Sequence, residues 1–265
     1  TSATFPLRAM ALGLLGDVLG AGAPSPPREV PELPLIRGSA AAAPGDMDAL
    51  RLYNQGNFSG VIALATRVWT RDPHDLVILR IRGAAREGVG DHRGAIDDET
   101  LVLDSDAGDV DALTLRAQAH FNLSEYDRAS ADAARVLALD PSRISARELH
   151  GAAAYEKADY LTAIADESAA IELSTESVFA FDYRAAAYLM QETYAAAVAD
   201  ATAAVAMDNG DAWAFETLGA GNIALGRCAQ ATAAFDSAVK VAADPATAER
   251  EIVALRRSAA ARGAS

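Results

Sequence analysis

Residues 110–143 read VDALTLRAQAHFNL (110–123), Ser124-Glu125, YDRASADAARVLALD (126–140) and Pro141-Ser142-Arg143, and the fold turns on this stretch. The first segment carries apolar residues at helical spacing, and the last one repeats that spacing after a short polar break. Ser124-Glu125 is therefore a turn between two helices. Pro141 closes the second helix, because proline has no N–H to continue the hydrogen-bond ladder.

The same unit returns every 34 residues. Ala95, Ala129, Ala163, Ala197 and Ala231 form one series, with Val61 in phase before them. Gly83, Ala117, Gly151, Ala185 and Gly219 form a second, preceded by Ala49. Phe58, His92, Tyr126, Tyr160, Tyr194 and Cys228 form a third. Val68, Val102, Val136, Ala170, Ala204 and Ala238 form a fourth. Four series that keep phase over six copies define a repeat architecture. The Gly or Ala of the first helix and the Ala of the second are small because two helices cross there, where a larger side chain would hold the axes apart. The residue opening the second helix, aromatic in four copies, fills the space beside the turn. No unit can bury its apolar face alone, so neighbours must stack.

These residues resemble the tetratricopeptide repeat (TPR) family, whose small–aromatic–alanine–proline pattern they follow over residues 42–245. The six repeats are 42–75, 76–109, 110–143, 144–177, 178–211 and 212–245. The family's hydrophobic first-helix residue is present as Leu79, Leu113, Phe181 and Phe215. Gly45 and Arg147 depart from it, Ala107, Thr175, Asn209 and Ala243 replace the closing proline, and Glu99 and Glu167 stand where a large apolar residue is preferred. The resemblance implies an all-α, right-handed α-solenoid. Residues 246–265 supply a capping helix and tail, with Arg256, Arg257 and Arg262 making the outer face polar, as a solenoid end needs.

The resemblance also implies a non-enzymatic scaffold or adaptor, a subunit of a larger complex. The alternative is a regulatory or chaperone-type module with exchangeable peptide clients. In the family the first helices line a concave groove. Projected onto that face, Tyr53, Phe121, Tyr155, Leu189 and Ile223 make one row, and Phe179 and Trp213 a second. Asp46, Glu148, Asp182 and Glu216 make an acidic row broken by Arg80. Such a cleft suits a basic, partly apolar helix or extended segment of a protein partner. Ordinary repeat packing for the aromatic row, and a solvated face for the acidic one, are the competing readings. Co-chaperone TPRs that grip acidic tails use Lys, Arg and Asn where this chain has mostly Asp, Glu, Ala and Thr. The recurring Asp98, Asp132, Asp166 and Asp200 read as exposed polar positions on the second helices.

Charge agrees with a cationic partner. The chain holds 23 basic and 37 acidic residues, a net −14, and residues 42–245 alone hold 16 and 32, a net −16. That balance argues against nucleic acid, which needs clustered Lys and Arg. One cysteine, Cys228, excludes a disulfide framework and reads as a small buried thiol. His74, His92, His120 and His150 share no metal-ligand spacing, and Asp104-Ser105-Asp106-Ala107-Gly108-Asp109 lacks the closing Glu of a calcium loop. No metal and no cofactor are expected. Asn57-Phe58-Ser59 and Asn122-Leu123-Ser124 are glycosylation sequons at inter-helix turns.

Residues 1–41 lie outside the periodic part. AMALGLLGDVLGAGA (9–23) is apolar, follows Arg8 and ends in small residues, as a secretory leader does, but Asp17 interrupts it and it is too short to span a bilayer. It reads first as a short helix over about residues 6–20 that packs on protein. A retained targeting segment, or association with a membrane complex through residues 1–23, is the second reading. With a first residue that is Thr1, it points to an organelle or an exported compartment. PSPPREVPELPLIR (24–37), with five prolines, is an extended linker.

Overall fold

The computed structural model describes residues 44–242, with Pro245 and Val253 beyond them. The apolar segment, the Pro-rich linker and the capping helix expected over 246–262 lie outside the described residues. Twelve helices and no strands occur among the described residues. In chain order they are α1 (Pro44–Asn54), α2 (Phe58–Arg71), α3 (Leu76–Gly88), α4 (His92–Ser105), α5 (Val110–Asn122), α6 (Tyr126–Leu139), α7 (Ile144–Glu156), α8 (Tyr160–Leu173), α9 (Val178–Met190), α10 (Tyr194–Met207), α11 (Ala212–Ala224) and α12 (Cys228–Val241).

The described chain divides into two compact units, residues 44–157 with α1–α7 and residues 158–242 with α8–α12. Within each unit a helix packs on its sequence neighbours, and first helices of successive repeats also touch, as α1 does α3 and α9 does α11. The alanine series is what lets them approach: Ala95, Ala129, Ala163, Ala197 and Ala231 are all fully buried. In the second unit Leu189, Ala197, Ala220, Ile223, Ala231, Phe235 and Ala238 form one apolar cluster.

The turns repeat with the same period. Gly56, Gly90, Ser124, Ala158, Glu192 and Gly226, each 34 residues apart, close the turn inside a repeat with φ between 58° and 80°. That left-handed conformation favours glycine, yet half of the copies hold another residue. Between repeats, the helix stop does not depend on proline. α4, α8 and α10 end at the phase where α2 and α6 end, without one. The residue after each helix is extended, and its side chain accepts from the backbone N–H two residues on: Asp72 from His74 (3.1 Å), Asp106 from Gly108 (3.0 Å), Asp140 from Ser142 (3.1 Å), Ser174 from Glu176 (3.4 Å) and Asp208 from Gly210 (2.8 Å). This local bond competes with the helix and ends it. One residue further, Asp75, Asp109, Ser177 and Asp211 cap the next first helix.

The recurring aspartates Asp98, Asp132, Asp166 and Asp200 of the second helices are not exposed, which corrects the sequence reading. Arg82 donates from Nε and Nη2 to Asp98 at 3.0 and 2.6 Å, and Arg116 to Asp132 at 2.7 and 2.9 Å. Arg184 does the same to Asp200 at 2.7 and 2.9 Å. In each case the remaining Nη1 reaches the hydroxyl of Thr66, Thr100 or Ser168 on the preceding second helix. One guanidinium thus ties three helices, with fork geometry that matches a carboxylate. Asp98, Asp132 and Asp200 are buried. Asp166, whose counterpart on the first helix is His150, is half-buried.

Candidate functional site

Most of the first aromatic row belongs to the interior. Tyr53 and Phe121 are buried, and each meets the aromatic that opens its own second helix edge to face: Tyr53 with Phe58 and Phe121 with Tyr126, both at 5.2 Å. Burial pushes the Tyr53 hydroxyl up to about 12. Leu189 and Ile223 sit in the cluster around Phe235, 0% and 2% exposed. These four positions hold hairpins together and present no open face, so the expectation of a groove row fails at them. The cause is that the last turn of the first helix points at the neighbouring second helix. Tyr155 alone of this row is half-buried.

The second row comes together in the 158–242 unit. Phe179 stacks on Tyr183 with ring centroids 4.5 Å apart, and Tyr183 meets Trp213 at 5.0 Å and 71°. Tyr183 is buried and bridges the two expected residues, four residues along α9 from Phe179. Phe179 is half-buried, and so is Glu216, which follows Trp213 by one turn of α11. Asp182, which precedes Tyr183 on α9, is 2% exposed. Its carboxyl faces Asp211, the N-cap of α11, and burial together with Asp211 and Asp208 pushes it up to about 10. Asp182 is therefore neutral at physiological pH. Asp208 and Asp211 escaped the projection, although the run Asp208-Asn209-Gly210-Asp211 repeats Asp106-Ala107-Gly108-Asp109 and marks the turn.

The other members of the acidic row are placed differently. Asp46 is buried and Glu148 half-buried. Arg80, the break in the row, donates from Nη1 to both Asp109 oxygens at 3.3 and 3.2 Å and lies 3.5 Å from Asp111. Asp111 is also held by Arg143. His120 meets Glu125 through Nδ1 at 2.7 Å, a structural role. Cys228 is half-buried, not buried as expected, because it opens α12 beside the exposed turn, with Sγ 3.7 Å from the Gly226 carbonyl. No group of three or more His, Cys, Asp or Glu poised to hold a metal occurs among the described residues. Among them no helix is long and apolar enough to cross a membrane.

No protein-family model matches the chain, and no curated protein matches it. Solved structures do. A tetratricopeptide repeat protein from Parabacteroides merdae superposes with a TM-score of 0.61 at 17% identity, over 98% of this chain and 100% of its own. YrrB, described as a TPR protein with an unusual peptide-binding site, gives 0.56 at 16%, over 70% and 96%. MamA from Desulfovibrio magneticus gives 0.55 at 21%, over 63% and 93%. The chain has the tetratricopeptide-repeat fold. In TPR terms, Phe179, Asp182 and Tyr183 come from the first helix of the fifth repeat, and Trp213 and Glu216 from that of the sixth.

Proposed function

We propose that this TPR chain is a non-enzymatic interaction scaffold or adaptor, a subunit of a larger complex. On this reading the first-helix face of the fifth and sixth repeats receives a basic, partly apolar helix or extended segment of a partner protein. The observation that carries it is Phe179, half-buried and stacked on Tyr183, with the half-buried Asp211 and Glu216 at the cap and on the first turns of the next first helix. The Phe179 ring offers apolar contact, while the Asp211 and Glu216 carboxylates select cations. The net −16 of residues 42–245 adds a field that attracts cationic segments over about 8 Å at physiological salt. A peptide-binding site in YrrB, a protein of the same fold, is in keeping with this reading.

Affinity capture from the native source with mass spectrometry tests it. A partner with a basic segment should be recovered, and its binding should weaken as salt rises and weaken further with Phe179→Ala or Glu216→Lys. A partner held equally at low and high salt, and by both variants, would place the contact elsewhere on the chain.

A further inference from the structure

Every second helix among the described residues shows at least one charged side chain to solvent, except α10. Its sequence, YAAAVADATAAVAM, holds a single charge, Asp200, which is buried and bound by Arg184. What α10 exposes is Ala195, Ala199, Thr202, Ala206 and Met207. In the same unit α8 and α12 flank it as the second helices of the neighbouring repeats. Arg184 ties α8 to α10 through Ser168 and Asp200, and α11 packs on both α10 and α12. On α8, Leu161 is 70% exposed and Leu173 47%. The two flanks carry opposite charge at matching heights. The N-caps of α8, α10 and α12 are Asp159, Thr193 and Arg227. At the other end Glu172, Ala206 and Lys240 stand in one phase of the repeat, and all six residues are exposed. Apart from Arg184, Arg227 and Lys240 are the only basic residues between 158 and 242, and both lie where α8 has an acid. Asp236 on α12 lies at the level of the uncharged Ser168 and Thr202.

We propose that this outer face of the second unit pairs with the same face of a second copy of the chain, α10 against α10, about a two-fold axis parallel to the helix. That operation lays α8 of one copy over α12 of the other. Glu172 then meets Lys240 of the second copy and Asp159 meets Arg227 of the second copy, and symmetry makes each pair twice. Turning the axis across the helix would lay α8 over α8 and α12 over α12, acid on acid and base on base, so the charges select the parallel pairing. Two chains of net −14 repel each other, and a face whose acids and bases are self-complementary is where they can approach. Ala195, Ala199, Thr202 and Ala206 follow the a/d spacing of a coiled-coil seam, and their small side chains let the two helices come close. The exposed Leu161 lies over Ala229 of the second copy and loses its contact with water. The face belongs to second helices, so this pairing stands independently of the partner segment read on the first helices.

Sedimentation velocity of the whole chain over a concentration series tests it, with circular dichroism to confirm that each variant stays helical. The 27.5 kDa chain should pass from monomer to dimer as concentration rises, with no larger species, because a two-fold pairing closes on itself. Ala199→Glu, at an exposed position in the middle of the seam, sets two carboxylates against each other and should leave only monomer. Lys240→Glu and Glu172→Lys should each weaken the dimer about tenfold. The double variant Glu172→Lys/Lys240→Glu should restore it, which a change in net charge alone would not do. In a Cys228→Ser background, Ala195→Cys should cross-link two chains on oxidation, since only the parallel pairing sets residue 195 beside its own copy. A chain that stays monomeric at the highest concentration it tolerates would overturn the proposal, as would a dimer indifferent to Ala199→Glu or a double variant no tighter than the single ones. A monomer whose captured partner is lost with Ala199→Glu would give the face to a different protein.

Discussion

The ring of Phe235 occupies the place where a side chain on Gly219 would begin: its Cε1 lies 2.5 Å from the position of a Cβ there. The same relation joins Glu99 and Gly83, with Oε1 2.1 Å from that position. In both pairs a large group on the second helix lies flat on the first-helix backbone. Two of the three repeats between them solve the crossing with alanine on each side, Ala117 with Ala133 and Ala185 with Ala201, and the third again holds glycine and glutamate, Gly151 and Glu167. Glycine is therefore required by its partner and not by the repeat.

Gly219→Ala should destabilise the chain by about 1–3 kcal/mol through overpacking, despite alanine's better helix propensity. In a Phe235→Ala background the same change should be neutral or stabilising. Urea unfolding of the four variants as a double-mutant cycle reads the coupling. An equal cost in both backgrounds would show that the ring does not set the size of residue 219.

Glu99 is fully buried, no donor among the described residues reaches its oxygens, and burial with Asp98 beside it holds its carboxyl well above the ordinary range. The folded chain thus binds this proton more tightly than the unfolded one. Its stabilising contribution is complete below the unfolded value, near 4.5, and is lost as pH rises toward the folded value. Asp182, pushed up to about 10, acts in the same direction. Glu99→Gln should flatten the fall in the urea midpoint between about pH 5 and about pH 8, and raise the midpoint at the alkaline end. A fall as steep as in the parent would assign it to other groups.

Arg82 and Asp98 are the most buried pair of the arginine ladder, with side chains 8% and 1% exposed. Asp98→Ala strands a guanidinium among three helices and should cost about 3–5 kcal/mol. The double variant Arg82→Met/Asp98→Leu should recover most of that loss, because the buried guanidinium is gone and Arg86, the other partner of Asp98, keeps Asp91 and the Gly94 carbonyl. Calorimetric melting temperatures of the two variants decide it, and a double variant no more stable than Asp98→Ala contradicts the account.

Ala158 adopts φ of 60° where Gly56, Gly90 and Gly226 hold the equivalent turns. A left-handed residue other than glycine costs about 1–2 kcal/mol, and glycine's freer unfolded chain offsets part of it, so Ala158→Gly should stabilise by about 0.5–1 kcal/mol. Thermal unfolding of Ala158→Gly at neutral pH measures this, and a lower melting temperature would contradict it.

Replacing Leu189 with alanine would report on folding and not on partners. The side chain is fully buried against Ile223 and Phe235, and a large-to-small change there costs about 2–5 kcal/mol. Phe179 and Glu216, both half-buried, are the positions at which binding can be altered with the least effect on the core.

What the sequence determined by itself was everything that depends on spacing along the chain. A 34-residue period places each helix, each crossing alanine and each turn, because these are local matters of helical pitch and backbone conformation. Glu99 and the glycine series were both legible as features, but separately. Only the tertiary structure decided that Glu99 lies on Gly83, that Asp98, Asp132 and Asp200 are held by arginines sixteen residues earlier, and that Leu189 and Ile223 face inward. Each of these depends on which side of a first helix the neighbouring helices cover. A helical residue's phase tells which way it points, while its burial and its partner depend on the helix that packs there, and in a stacked repeat that helix comes from elsewhere in the chain.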